Sequence, residues 1–129
     1  MTPKKTVLAY WQTMATNDFT AASQYLAPGF WCHWPQSAEL IRGRENFAAL
    51  NANYPAHGIW QFDVKRIAAD GQVVMTEVDI TDGVQTAKAL TWHRVVDGKI
   101  AHQVEYWPDP YDAPANRSQW VETVADTPV

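Results

Sequence analysis

Glu105 is the residue of this sequence best placed to do chemistry. It sits in Gln103-Val104-Glu105-Tyr106-Trp107, and alternation along a strand puts Gln103, Glu105 and Trp107 on one face. A carboxyl drawn out of water beside an indole has its pKa raised, which poises it as a general acid or base. The other use of such a group is a hydrogen bond in a polar cavity wall, with no chemistry. His93 is the natural partner, because an imidazole near a carboxylate can share or relay a proton. A lone strand histidine serves equally as a satisfied core residue. Tyr10 carries a hydroxyl that can donate to a ligand carbonyl or a developing oxyanion. Alternatively it packs at a helix–sheet boundary with that hydroxyl in water. Thr91 and Gln103 offer polar contacts beside these groups. Trp34, Tyr54, Trp60 and Trp107 read as walls, since indole donates one hydrogen bond and otherwise presents flat apolar surface. The combination suits a small hydrophobic ligand.

Other chemistries lack their residues. His33, His57 and His102 scatter without metal-ligand spacing, so no metal is expected. Cys32 is the single cysteine, which excludes an internal disulfide, and no basic neighbour activates it, so it reads as a small core residue. Nucleophilic triads and glycine-rich phosphate loops are missing, and no cofactor is expected. Glu77 and Asp79 share a strand face and read as exposed charges.

The elements that must position these residues follow from periodicity. Thr2 caps a first helix with Pro3 at its start, and Val7, Leu8, Trp11, Met14 and Ala15 form its apolar stripe. Asn17-Asp18 breaks it and caps a second helix, with Phe19, Ala22 and Leu26 on one face and Pro28-Gly29 as its end. Phe30 to Trp34 is a short strand, and a third helix spans Arg44 to Tyr54. From Ile59 the period becomes two, and Asp70-Gly71, Asp82-Gly83 and Asp97-Gly98 mark hairpins. The implied strands, 59–69, 72–81, 84–96 and 99–107, form an antiparallel meander. Pro108, Pro110 and Pro114 enforce a loop, followed by a short helix or arm from Asn116 to Thr123. Helices first and a meander second is α+β, and a strongly twisted sheet closed by helices leaves a cone.

The 129 residues fit one domain, 1–129, with 110–129 as a C-terminal arm. Ten basic against fourteen acidic residues give a net charge of −4, which argues against a general electrostatic hold on nucleic acid or an anionic membrane. No apolar run approaches the ~20 residues of a membrane span, and the N-terminus runs straight into an amphipathic segment without signal-peptide features. A cytoplasmic protein is expected. Seven Trp, five Tyr and four Phe make an uncommon aromatic inventory with Trp in excess; much of it must be core, and pocket walls or oligomer interfaces are the other uses open to it.

Three local patterns resemble the nuclear transport factor 2-like superfamily, especially its SnoaL-like (polyketide cyclase-like) branch. Asn17-Asp18-Phe19-Thr20-Ala21-Ala22 looks like the start of that family's second helix, Ile41-Arg42-Gly43-Arg44-Glu45 like the lead into its third, and Asp97-Gly98-Lys99-Ile100 with Glu105-Tyr106-Trp107 like its last hairpin. The similarity covers residues 5–109 and implies a cone-shaped fold of three N-terminal helices on a strongly curved antiparallel sheet. The fold hosts many reactions. Laid along the ketosteroid isomerases of the superfamily, Tyr10 matches their oxyanion-hole tyrosine, but Trp34 falls where their general-base aspartate stands and Thr91 near their protonated aspartic acid. The Asp-Arg-Asp set of the epoxide hydrolases fails too, since strand 84–96 holds Arg94 without an aspartate. The resemblance leaves a cofactor-independent lyase, isomerase or cyclase using Glu105, or a non-catalytic ligand-binding or protein-interaction module; enzyme or not stays open.

Register decides which face meets a ligand. A two-residue turn at Asp97-Gly98 sets Val95 opposite Ile100 and puts Leu90, Trp92 and Arg94 with Glu105. A three-residue loop, Val96-Asp97-Gly98, sets Val95 opposite Lys99 and puts Ala89, Thr91, His93 and Val95 with Ala101, Gln103, Glu105 and Trp107. The second is expected, because it sorts small and polar residues from Leu90, Trp92, Val96, Ile100, Val104 and Tyr106. That bulky face needs cover, and a homodimer packed through the outer sheet face is the expected cover.

Overall fold

The computed structural model describes residues 1–128. Helix α1, Pro3–Met14, starts where the Thr2 hydroxyl accepts the Lys5 N–H, and it buries Thr6, Val7, Tyr10, Trp11 and Met14. Asp18 caps α2, Phe19–Ala22, by accepting the Ala21 N–H, and the chain tightens into a 3-10 turn at Ser23–Tyr25. Strand β1, Leu26–Trp34, and β2, Glu39–Arg42, lead to helix α3, Arg44–Asn53. Strands β3, Gln61–Asp70, β4, Val73–Thr81, β5, Thr86–Val96, and β6, Lys99–Tyr106, complete one sheet of six, in the order β2-β1-β6-β5-β4-β3. The helices pack on one face, as in α+β domains generally.

The sheet is larger than the expected meander. β1 pairs parallel with β6 and antiparallel with β2, so the N-terminal third contributes two strands. Pro28-Gly29 does not end a helix: the second helix stops at Ala22, Leu26 opens β1, and the β1–β6 register shifts between Leu26 and Trp31. Proline cannot donate to a ladder, and a strand irregularity accommodates it. Asp82-Gly83 belongs to a four-residue connection, because Thr81 pairs with Thr86. The C-terminal segment forms a 3-10 helix, Ala115–Trp120, with no buried residue.

The β5–β6 hairpin also departs from expectation. Asp97 and Gly98 both have positive φ, +50° and +76°, so they make the two-residue turn and Val95 pairs with Ile100. The register then shifts between Arg94 and Val95, leaving Ala101 as the extra residue of a bulge, and Thr91 faces Glu105 while His93 faces Gln103. The bulge restores the polar inner face that a three-residue loop had been expected to supply. Near the turn Ile100 points inward and is fully buried, where the expected register had it outside.

Candidate ligand cavity and its buried polar cluster

The inner face of β4, β5 and β6 carries a row of polar side chains inside an otherwise apolar core. Thr76, Thr91, His93, Gln103 and Glu105 are all buried, and Tyr10 of α1 packs over them with its ring 6.1 Å from that of His93. Buried polar groups require partners, and these find one another. Glu105 Oε2 accepts from Thr91 Oγ1 at 2.6 Å and Oε1 from the Trp34 indole N–H at 3.0 Å. His93 bonds at both ring nitrogens, to Thr76 Oγ1 at 2.8 Å and to Gln103 Nε2 at 2.9 Å. Trp11 closes this second group by donating to Thr76 at 3.2 Å. Gln103 Oε1 is buried without a partner.

Burial sets the protonation of the cluster. Desolvation raises the Glu105 pKa, with the Thr91 and Trp34 hydrogen bonds partly opposing it. Desolvation pushes His93 down to about 3, so the imidazole is neutral through the ordinary pH range. Burial raises the Tyr10 phenol well above its usual value, and Glu105 nearby adds to this. Cys32 is buried and its thiol is likewise pushed up, an unreactive setting. Among the described residues no group of three His, Cys, Asp or Glu side chains converges as a metal site would.

Beside the cluster lies a cavity of about 420 Å³. Five rings wall it: Trp34, Tyr54, Trp60, Phe62 and Trp107. Trp34 meets Trp107 edge to face at 5.9 Å and 86°, and Tyr54 meets Trp60 at 6.1 Å and 71°. Leu50 and Ile80 add aliphatic surface, and Gln36, Ser37, Glu39, Asn51, Gln85 and Asp109 supply the polar part of the wall. The Trp107 indole N–H is buried and has no partner among the described residues.

The structure thus divides the residues singled out in the sequence. Trp34, Tyr54, Trp60 and Trp107 line the cavity, whereas Tyr10, Thr91, His93, Gln103 and Glu105 are not in its wall. Trp34 belongs to both sets, with one face to the cavity and its N–H on Glu105. Glu105 and His93 sit in separate hydrogen-bonded groups rather than sharing a proton.

Two positioning residues had gone unread. Asn17, at a φ of +62°, clasps the Trp60 backbone from both sides, donating to its carbonyl at 2.7 Å and accepting its N–H at 2.9 Å. Asp82 accepts from the backbone N–H groups of His57, Val84 and Gln85 and from the Gln85 amide, tying the segment before Trp60 to the β4–β5 connection. Burial opposes its ionisation, yet those donors hold the carboxyl well below the usual range. The segment passes so close that a Cβ at Gly58 would stand 3.0 Å from the Asp82 carbonyl oxygen. In the sequence Asn17 and Asp82 carry only the signals of a helix break and a hairpin turn, because the backbone each one holds lies 43 and 25 residues away.

Solved structures share this architecture. A Kribbella flavida DSM 17836 protein provisionally assigned as a ketosteroid isomerase superposes with a TM-score of 0.88 at 29% identity, covering 96% of this chain and 90% of its own. An NTF-2 like protein of unknown function from Burkholderia xenovorans LB400 is 33% identical, with a TM-score of 0.79 and 95% of each chain covered. At 16% identity the likeness to a Catenulispora acidiphila DSM 44928 protein is one of fold alone, with a TM-score of 0.68 over 82% of this chain and 86% of that one; it has a ketosteroid isomerase-like fold and was solved in complex with trimethylamine. No curated protein matches the chain. The SnoaL-like domain family matches residues 7–103, three quarters of the sequence, and the chain belongs to that family.

Proposed function

We propose that the cone binds a compact, largely apolar small molecule and that Glu105 is its general acid or base. The observation that carries this reading is the Trp34–Glu105 hydrogen bond, which links a cavity wall to a desolvated carboxyl. A raised pKa lets that carboxyl hold a proton nearer neutrality, and a rotation of the Trp34 indole would bring it to the ligand. Held neutral, His93 fixes Gln103 and the β4–β5 wall, and Tyr10 packs over the cluster behind the cavity wall. The chemistry is a cofactor-independent lyase, isomerase or cyclase step. Enolisation of the ketosteroid isomerase kind is disfavoured, because an indole, Trp34, stands where the resemblance would require the base.

A second reading is binding without turnover. It is favoured by the full occupation of Glu105, both of whose oxygens already accept hydrogen bonds. The discriminating experiment screens hydrophobic carbonyl compounds by quenching of tryptophan emission, then follows the tightest binder with wild type and Glu105→Gln. Loss of turnover with retained affinity supports proton transfer; a change in affinity with no turnover in either protein supports binding alone.

We also propose a cytoplasmic homodimer joined through the outer sheet face. Met75, Leu90, Trp92 and Tyr106 lie there, each more than a third exposed, which is a large apolar surface for an isolated chain.

A further inference from the structure

The charges around the cavity are of one sign. Its wall contains Glu39 and Asp109, and among the described residues no Lys, Arg or His lines it. Neither carboxylate takes part in an ion pair among the described residues, whereas Glu77 and Asp79 on the outer face share Lys88. Glu39 is the cross-strand partner of the wall indole Trp34, and Asp109, two residues past Trp107, lines the same cavity. Behind Trp34, Glu105 accepts the indole N–H. An acceptor on that N–H pushes electron density into the ring and strengthens its negative face.

The rings supply the other half. Trp34 with Trp107, and Tyr54 with Trp60, are edge-to-face pairs, so the wall presents π faces in more than one direction. Aromatic faces attract cations within ~6 Å of the ring centre, tryptophan most strongly, and the attraction grows when the cation is desolvated. Cavities lined by one sign of charge with apolar walls also concentrate ligands of the opposite sign. A neutral apolar ligand would use the rings and leave the acids idle; an anionic one would meet repulsion from both acids with no base to answer it.

We propose that the cavity selects a cationic organic ligand, an ammonium group carried on an apolar or aromatic body. This rests on the reading of the cone as a small-molecule pocket and narrows its occupant from hydrophobic to hydrophobic and positively charged. The rings hold the alkylated ammonium, and Glu39 and Asp109 at the rim balance its charge.

The test is calorimetric titration of the full chain with three probes of similar shape: phenyltrimethylammonium, its neutral isostere tert-butylbenzene, and 4-tert-butylbenzoate. The expected result is ammonium binding at least about tenfold tighter than the isostere, with the benzoate weakest. Glu39→Gln/Asp109→Asn, a double variant at exposed positions, is expected to weaken the ammonium severalfold and leave the neutral probe unchanged. Equal or tighter binding of tert-butylbenzene or the benzoate, or an ammonium preference indifferent to the double variant, overturns the charge selectivity while leaving the pocket intact. If none of the three probes binds, the pocket reading falls with it.

Discussion

The Trp34 indole N–H donates to Glu105 Oε1 across 3.0 Å, so the residue that walls the cavity also holds the buried carboxyl. Trp34→Phe keeps a ring in the wall and removes the donor. Since that hydrogen bond lowers the Glu105 pKa against the larger effect of burial, its loss is expected to move the titration to higher pH. Carboxyl carbon shifts followed by NMR would report it; an unmoved midpoint would remove Trp34 as a determinant.

Glu105→Ala leaves the Thr91 hydroxyl and the Trp34 N–H without their acceptor in the core, at a cost of about 1–3 kcal/mol in urea unfolding. Glu105→Gln costs less, since the amide retains an acceptor and the size of the acid. The two also differ in pH dependence from wild type. Because the folded-state pKa is raised, the unfolded chain releases the proton first as pH rises, and the group's contribution is complete below the ordinary value near 4.5 and lost above it. Wild type should therefore lose stability relative to Glu105→Gln as pH climbs from 4.5, and parallel curves would contradict the raised pKa.

His93 acts in the opposite sense. Folded, it takes a proton only near pH 3; unfolded, it takes one near 6.5, so the unfolded chain binds more protons between those values. The stabilising contribution is complete above 6.5 and disappears as pH falls toward 3, a total of roughly 3–6 kcal/mol. Chemical unfolding across that range, with His93→Gln as reference, measures it. A histidine that titrates normally in the folded protein would refute the assignment.

Asn17 holds Trp60 by two hydrogen bonds and does so from a left-handed backbone conformation. Asn17→Ala is expected to lose about 1–3 kcal/mol, part from the bonds and part from the positive φ. Asn17→Gly, which relieves the backbone, should be milder in stability yet equally weak in ligand affinity. Thermal unfolding alongside ligand titration separates the two contributions, and unchanged affinity in both variants would dismiss the clasp as a positioning device.

On the outer face, Trp92→Glu places a charge in the centre of the apolar surface formed with Met75, Leu90 and Tyr106. Sedimentation at micromolar concentration should show a dimer for wild type and a monomer for the variant. A wild-type monomer would rule out the proposed interface.

Much of this architecture was legible because local rules and tertiary packing agree. Thr2 and Asp18 cap helices where their hydroxyl and carboxylate meet free N–H groups, and alternation along Val73–Thr81 and Thr86–Val96 marks strands with one buried face. β2 was missed because four residues, three of them exposed, carry too little pattern to register. β1 was shortened because proline and glycine normally punctuate, and only pairing with β6 reveals that they lie in a strand. In the site, the wall tryptophans could be anticipated from their chemistry. That Glu105 is reached through Trp34 could not, since it depends on β1 lying next to β6, and parallel neighbours so far apart in sequence leave no local trace.

The single unpaired residue at Ala101 has a consequence for how this chain can vary. It works as a counter: upstream of it one parity of β6 faces inward, downstream the other. Deleting Ala101, with the turn kept, would remove the bulge and leave plain alternation, in which His102 still pairs with Arg94 and Gln103 with His93, so Gln103 and Glu105 stay inside. Loss of a residue should therefore be absorbed at this spot, whereas loss of Val104, inside the paired stretch, would send Glu105 to the solvent side.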